Sequence, residues 1–158
     1  QISKDILKKL DADFHHHLPQ LAPGWTQHFQ KEKTAIAKLV RKEQMDFYKG
    51  NRLLVLSDLY CELFPEAKWI FIQRSVEATY QSRFGRPLSF EEWRQITEQR
   101  QAIWEGSRAS QSALHLHYTD FVDQAEQTIV RIAAHLDLKL EPGQVQGFAA
   151  LFQSRNKV

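Results

Sequence analysis

Arg74 and Ser82, eight positions apart, are the residues of this sequence best suited in type and spacing to hold a phosphate. Arginine presents paired N–H donors in one plane, and the serine hydroxyl adds another. The run before them, Trp69-Ile70-Phe71-Ile72, is short, apolar and rich in aromatic and β-branched residues. That is the pattern of a strand buried on both faces of a parallel sheet. The run stops at Gln73-Arg74, so the guanidinium stands at the strand's carboxyl edge, the side on which open α/β sheets bind ligands. A helical pattern from Val76 to Phe84 puts Ser82 about two turns in, facing the same crevice. The plain alternative is a surface arginine and an ordinary helix serine.

The wider context of the pair carries a family resemblance. Phe64-Pro65-Glu66-Ala67-Lys68, the strand, and Arg74 with Ser82 resemble the sulfotransferase segment that holds the 3′-phosphate of 3′-phosphoadenosine 5′-phosphosulfate (PAPS). Downstream, Leu114-His115-Leu116-His117-Tyr118-Thr119-Asp120-Phe121-Val122 is similar to the family's strand ending in Tyr-Glu-Asp-Leu, and Glu126 to Leu138 resembles the helix after it. Upstream, Lys49-Gly50-Asn51-Arg52 resembles a worn Lys-Thr-Pro-Arg or Lys-Thr-His segment. The matches span roughly Tyr48 to Leu138 in the family's order.

The resemblance implies PAPS as sulfuryl donor and an acceptor hydroxyl or amine on a small molecule, glycan or peptide. It implies Arg74 and Ser82 at the 3′-phosphate, Tyr118 against the adenine, Lys49 beside the leaving 5′-phosphate, and Arg155 joining the phosphate shell. It also implies a P-loop-like three-layer α/β fold, a small parallel sheet covered by many helices. The sequence departs from the family in lacking Gly-x-x-x-x-Gly-Lys-Ser/Thr and Gly-x-x-Arg-Ser-Gly-Thr. The expectation is therefore that the first strand and its phosphosulfate loop lie before Gln1; the alternative is a non-catalytic α/β binding module that keeps only the scaffold. Asn51 stands where one branch of the family has a histidine base, and an amide cannot take that proton. The general base is thus unassigned, and Asp120 reads as a structural cap. A P-loop kinase fragment would need acidic magnesium ligands that the strand ends here do not offer.

Composition narrows the classes. At 158 residues the chain suits one domain. Hydrophobic content of 42% with 25% charged residues separates it from disordered and fibrous chains. A net charge of +2 is too small for bulk attraction to nucleic acid. The single Cys61 permits no internal disulfide, which with the lack of a signal-peptide layout favours a reducing, cytoplasmic setting. No apolar run is long enough to span a membrane. His15, His16 and His17 invite a metal reading, but neighbours on a helix point about 100° apart and do not converge as ligands; no metal is expected.

The elements that must position these groups follow in order. Ser3 is expected to cap a helix carrying Ile6, Leu7, Leu10 and Phe14, and Thr26 a second with Phe29, Ile36, Leu39 and Val40 inward. Lys31, Lys33, Lys38, Arg41 and Lys42 then form a solvated basic face. Asp46 to Lys49 reads as a short strand, and Leu53, Leu56, Leu59, Tyr60 and Leu63 as the stripe of a helix. Ser89-Phe90-Glu91-Glu92 has capping-box spacing and opens a long helix burying Phe90, Trp93, Ile96, Ile103 and Trp104. Leu114, Leu116 and Tyr118 alternate with His115 and His117 as in a strand, the histidines facing a layer of the core. Asp123 with Glu126 predicts another capped helix, and Pro142 begins a last one burying Val145, Phe148, Ala149 and Phe152. Arg83, Arg86, Arg94, Arg100 and Arg108 concentrate positive charge after Ser82, interleaved with glutamates able to pair with them.

Overall fold

A computed structural model describes residues 1–11, 18, 21–82 and 88–155, the last three by backbone alone. Most of these are helical, with one small parallel sheet, which is an α/β arrangement. The chain falls into two compact units, one of residues 1–67 and 85–111, the other of 68–84 and 112–158.

The first unit is built from α1 (Ile2–Lys9), a short 3-10 turn (Trp25–Phe29), α2 (Gln30–Lys42), α3 (Leu53–Leu63), α5 (Phe90–Glu105) and α6 (Arg108–Ser112), with α4 (Val76–Gln81) falling in the other unit. Helix α3 is its centre: Val55, Leu56, Leu59 and Tyr60 are buried along one broad face together with Ser57, while Asp58 and the exposed Glu62 mark the polar side. It packs against α2 and α5. Helix α5 starts with the expected box: Ser89 Oγ accepts from Glu92 N at 3.3 Å and Glu92 Oε2 accepts from Ser89 N at 2.7 Å. Its inner side carries Ile96 and Trp104, while Phe90 stays 38% exposed.

Three expectations in this unit need correction. Ser3 does not cap α1; Gln1 holds that position, and the Ser3 hydroxyl lies 3.2 Å from the Tyr60 hydroxyl. Thr26 opens no α-helix; it lies in a 3-10 turn that starts at Trp25 after Gly24, and gives its hydroxyl proton to Glu62 at 2.7 Å. Asp46 to Lys49 form no strand. With no neighbouring strand to bond, Tyr48 stacks on Tyr60 of α3 instead, the rings 5.7 Å apart and 9° from parallel. The histidine run 15–17 lies outside the described residues.

The second unit holds β1 (Ile70–Gln73), α4 (Val76–Gln81), β2 (Leu114–His117), α7 (Tyr118–Asp123), α8 (Ala125–His135) and α9 (Pro142–Arg155). The strands run parallel in the register Ile70 to Leu114, Phe71 to His115, Ile72 to Leu116 and Gln73 to His117. Leu114 N bonds Trp69 O at 2.9 Å. By the alternation of a ladder, Ile70 and Ile72 then aim their N–H and C=O groups away from β2. The β1 run was expected to be buried on both faces, yet Ile72 is 51% exposed, since the sheet has only two strands among the described residues. Helices α7, α8 and α9 pack on one another, and α7 and α8 also on β2, enclosing Leu116, Phe121, Ala125, Ile129 and Ala149. Pro142 opens α9 as expected, but Phe148 remains 46% exposed. Among the described residues no helix is long and apolar enough to cross a membrane.

Candidate functional site

Parallel strands bring their carboxyl ends to one edge, so Gln73-Arg74 and His117-Tyr118 are neighbours by register alone. Each strand passes directly into a helix there. Ser75 caps α4, its Oγ accepting from Ala78 N at 3.1 Å. His117 caps α7 by a reciprocal box, its side chain accepting from Asp120 N and its own N–H donating to Asp120 Oδ2 at 2.9 Å. These caps hold both turns still and engage amides that would otherwise face the edge.

What remains at the edge is Arg74 laid over Tyr118. The guanidinium carbon is 4.8 Å from the ring centroid, a cation–π contact. The guanidinium's N–H donors lie in its own plane, where they can form a fork to an anion. Both residues are exposed, Tyr118 at 36%. The pair therefore offers an aromatic plane and a planar donor set side by side, which suits a ligand with a flat ring and an anionic substituent.

The other predicted residues are placed less favourably. Ser82 is the C-cap of α4, exposed, its hydroxyl donating to Thr79 O at 3.2 Å. About 9 Å of helix separate it from the end where Arg74 stands, and no hydrogen bond joins the two among the described residues. Lys49 is exposed in the irregular segment before α3 and belongs to the first unit. Arg155 lies in the last turn of α9, and its side chain is outside the described residues.

His115 and His117, expected to face a core layer, are both exposed. The His115 ring meets Phe71 edge-on at 5.6 Å, and His117 serves as the cap of α7. Asp120 is a structural cap, as its position after Tyr118 suggested. It also receives Arg131 at 3.7 Å, and Arg131 in turn donates to the His115 carbonyl at 3.4 Å, occupying the outer edge of β2. The sequence reading missed Arg131; sitting on the helix that follows β2, it was legible only as one more surface cation.

The arginines proposed to gather charge after Ser82 do not do so where they are described. Arg94 is held by Glu91 and Glu98 at 2.6 Å each, Arg100 is buried with its guanidinium 5.4 Å from the Trp93 ring, and Arg108 reaches Glu62 at 3.1 Å. The glutamates neutralise Arg94 through the i, i+3 and i, i+4 spacings of α5. Among the described residues no group of three His, Cys, Asp or Glu side chains is arranged to hold a metal ion. Compared with known proteins, the chain matches no family model, no curated protein and no solved structure.

Proposed function

We propose that the unit carrying β1 and β2 is the nucleotide-anchoring part of a PAPS-dependent sulfotransferase. The single observation that supports this most is the Arg74–Tyr118 stack at the carboxyl edge of the parallel strands. In this reading Arg74 forks the 3′-phosphate and Tyr118 lies against the adenine, while Ser82, at the far end of α4, stays outside that contact. Arg155, on the same unit, joins the phosphate shell. An acceptor hydroxyl or amine on a small molecule, glycan or peptide attacks sulfur in line. The S–O bond to the 5′-phosphate breaks, 3′-phosphoadenosine 5′-phosphate departs, and the acceptor's proton passes to a base. Catalysis of this kind is positioning and charge stabilisation. The register leaves the backbone groups of Ile70 and Ile72 turned away from β2, and in this reading a further strand bearing the phosphosulfate loop pairs with them.

The test is a thermal melt with and without 3′-phosphoadenosine 5′-phosphate. Ligand at about a hundred times its Kd stabilises by about 2.7 kcal/mol, a rise of roughly 5–10 °C for a domain of this size. Arg74→Ala removes that rise, whereas no rise in the unaltered protein overturns the reading. The second reading, a non-catalytic α/β binding module, is favoured by the lack of a glycine-rich phosphate loop in the sequence. It is distinguished by a melting rise in the full-length protein without sulfuryl transfer by that protein to any acceptor.

A further inference from the structure

We infer that the trough between α2 and the last turn of α3 is a binding site for a sugar-sized anion, whose acid group is taken by Lys33, Lys38 and Arg41. The inference is independent of the nucleotide site. The trough has a volume of about 440 Å³, within the range of small-molecule sites. Its α2 wall is one continuous stripe, since positions 30, 33, 34, 37, 38 and 41 follow the three- and four-residue steps of a helix face.

Lys33 was expected to lie on a solvated basic face, but it is only 8% exposed. An ammonium has three N–H donors, and among the described residues the sole partner of Lys33 is the Glu62 carboxylate. That carboxylate is shared: it also accepts from Thr26 at 2.7 Å and from Arg108 at 3.1 Å. Asp58 also faces Arg108, at 4.0 Å, so two carboxylates meet Lys33 and Arg108, whereas Lys38 and Arg41 have no acidic partner among the described residues. The nearest acids on the same helix are committed elsewhere, Glu32 to Lys9 and Glu43 to Lys42. Glu62 itself lines the trough and neutralises Lys33, so the positive charge left for an anion is that of Lys38 and Arg41, with the remaining Lys33 N–H donors beside them.

The rest of the lining describes the body of the ligand. The Thr34 hydroxyl donates to Gln30 O at 2.9 Å, which leaves its lone pairs to accept from a ligand hydroxyl. Ala37 leaves space at the middle of the stripe, and Leu63 gives an apolar wall on the α3 side. A hydroxylated ring carrying a carboxylate, sulfate or phosphate satisfies all of these groups together.

The experiment titrates the full chain with glucuronic acid, glucose 6-sulfate and glucose 6-phosphate at constant ionic strength, with glucose as control, following backbone amide NMR shifts. At least one charged sugar should move Thr34 to Arg41 saturably, with Kd on the order of 1 mM or tighter, while glucose does not. The double variant Lys38→Gln/Arg41→Gln, on exposed positions, should bind roughly tenfold or more weakly with an unchanged melting temperature. Arg74→Ala should bind the sugar as well as the unaltered protein, which separates this site from the nucleotide reading. Failure of all three acids to saturate by about 10 mM, or equal binding by the double variant, overturns the inference.

Discussion

An ammonium removed from water is costly unless a carboxylate meets it, and Lys33 with Glu62 is such a pair. Burial pushes the Glu62 carboxyl up, but hydrogen bonds from Lys33 and Thr26, with the charges of Lys33 and Arg108, outweigh that and hold it below the usual range. The folded state therefore binds fewer protons here than the unfolded state. The resulting stability is present above the ordinary carboxylate range and is lost as pH falls through the lowered value. Glu62→Gln should destabilise by about 2 kcal/mol, because it leaves Lys33 buried without a counter-charge. Urea midpoints measured from pH 7 to pH 3 should show the variant losing less stability on acidification than its parent. At the proposed nucleotide site, Tyr118→Ala should weaken binding of 3′-phosphoadenosine 5′-phosphate by roughly tenfold, while Tyr118→Phe, which keeps the ring face, should stay within about threefold. Fluorescence titration distinguishes them.

Helix caps and strand ends decide how the two units are punctuated. The α5 box is made of neighbours three residues apart, so it was legible in the sequence and is present as read. Ser89→Ala should cost about 1 kcal/mol, visible as a lower urea midpoint with an unchanged slope. Its neighbour Glu91 is held at about 2, chiefly by the hydrogen bond from Arg94, so α5 keeps that ion pair well into acid. The same reasoning misplaced the cap near Asp123. The box there is His117 with Asp120, one helix earlier, because the chain turns directly from β2 into α7. Both strands were legible from apolar run and alternation, while Asp46 to Lys49 was not correctly read. A strand exists only with a partner, and Tyr60 offered Tyr48 a ring instead. The Arg74–Tyr118 contact joins residues distant in sequence, so composition and spacing placed each at a strand end without revealing that they touch. Lys33 was misread because helical periodicity marks a face without saying that an acid on another helix, Glu62, draws the lysine inward.

At the scale of the whole molecule, the outer edge of β1, which pairs with no further strand among the described residues, is the feature with the widest consequence. Arg131 occupies the outer edge of β2, whereas β1 presents Ile72 half exposed beside backbone groups turned away from its partner strand. Unpaired edges with apolar side chains template association. Ile72→Lys should therefore lower concentration-dependent self-association, read as a smaller weight-average mass in light scattering, without changing the helical circular dichroism. Reading β1 as fully buried failed because a run of apolar residues records what a strand can pack against, and the described residues supply only one neighbouring strand. The central claim concerns what the carboxyl edge of these strands receives. Isothermal titration calorimetry with 3′-phosphoadenosine 5′-phosphate and with adenosine 5′-phosphate, which lacks the extra phosphoryl group, tests it most directly. The account predicts at least tenfold tighter binding of the former and loss of that preference in Arg74→Ala. Equal affinity for the two nucleotides, or a preference that survives Arg74→Ala, would contradict it.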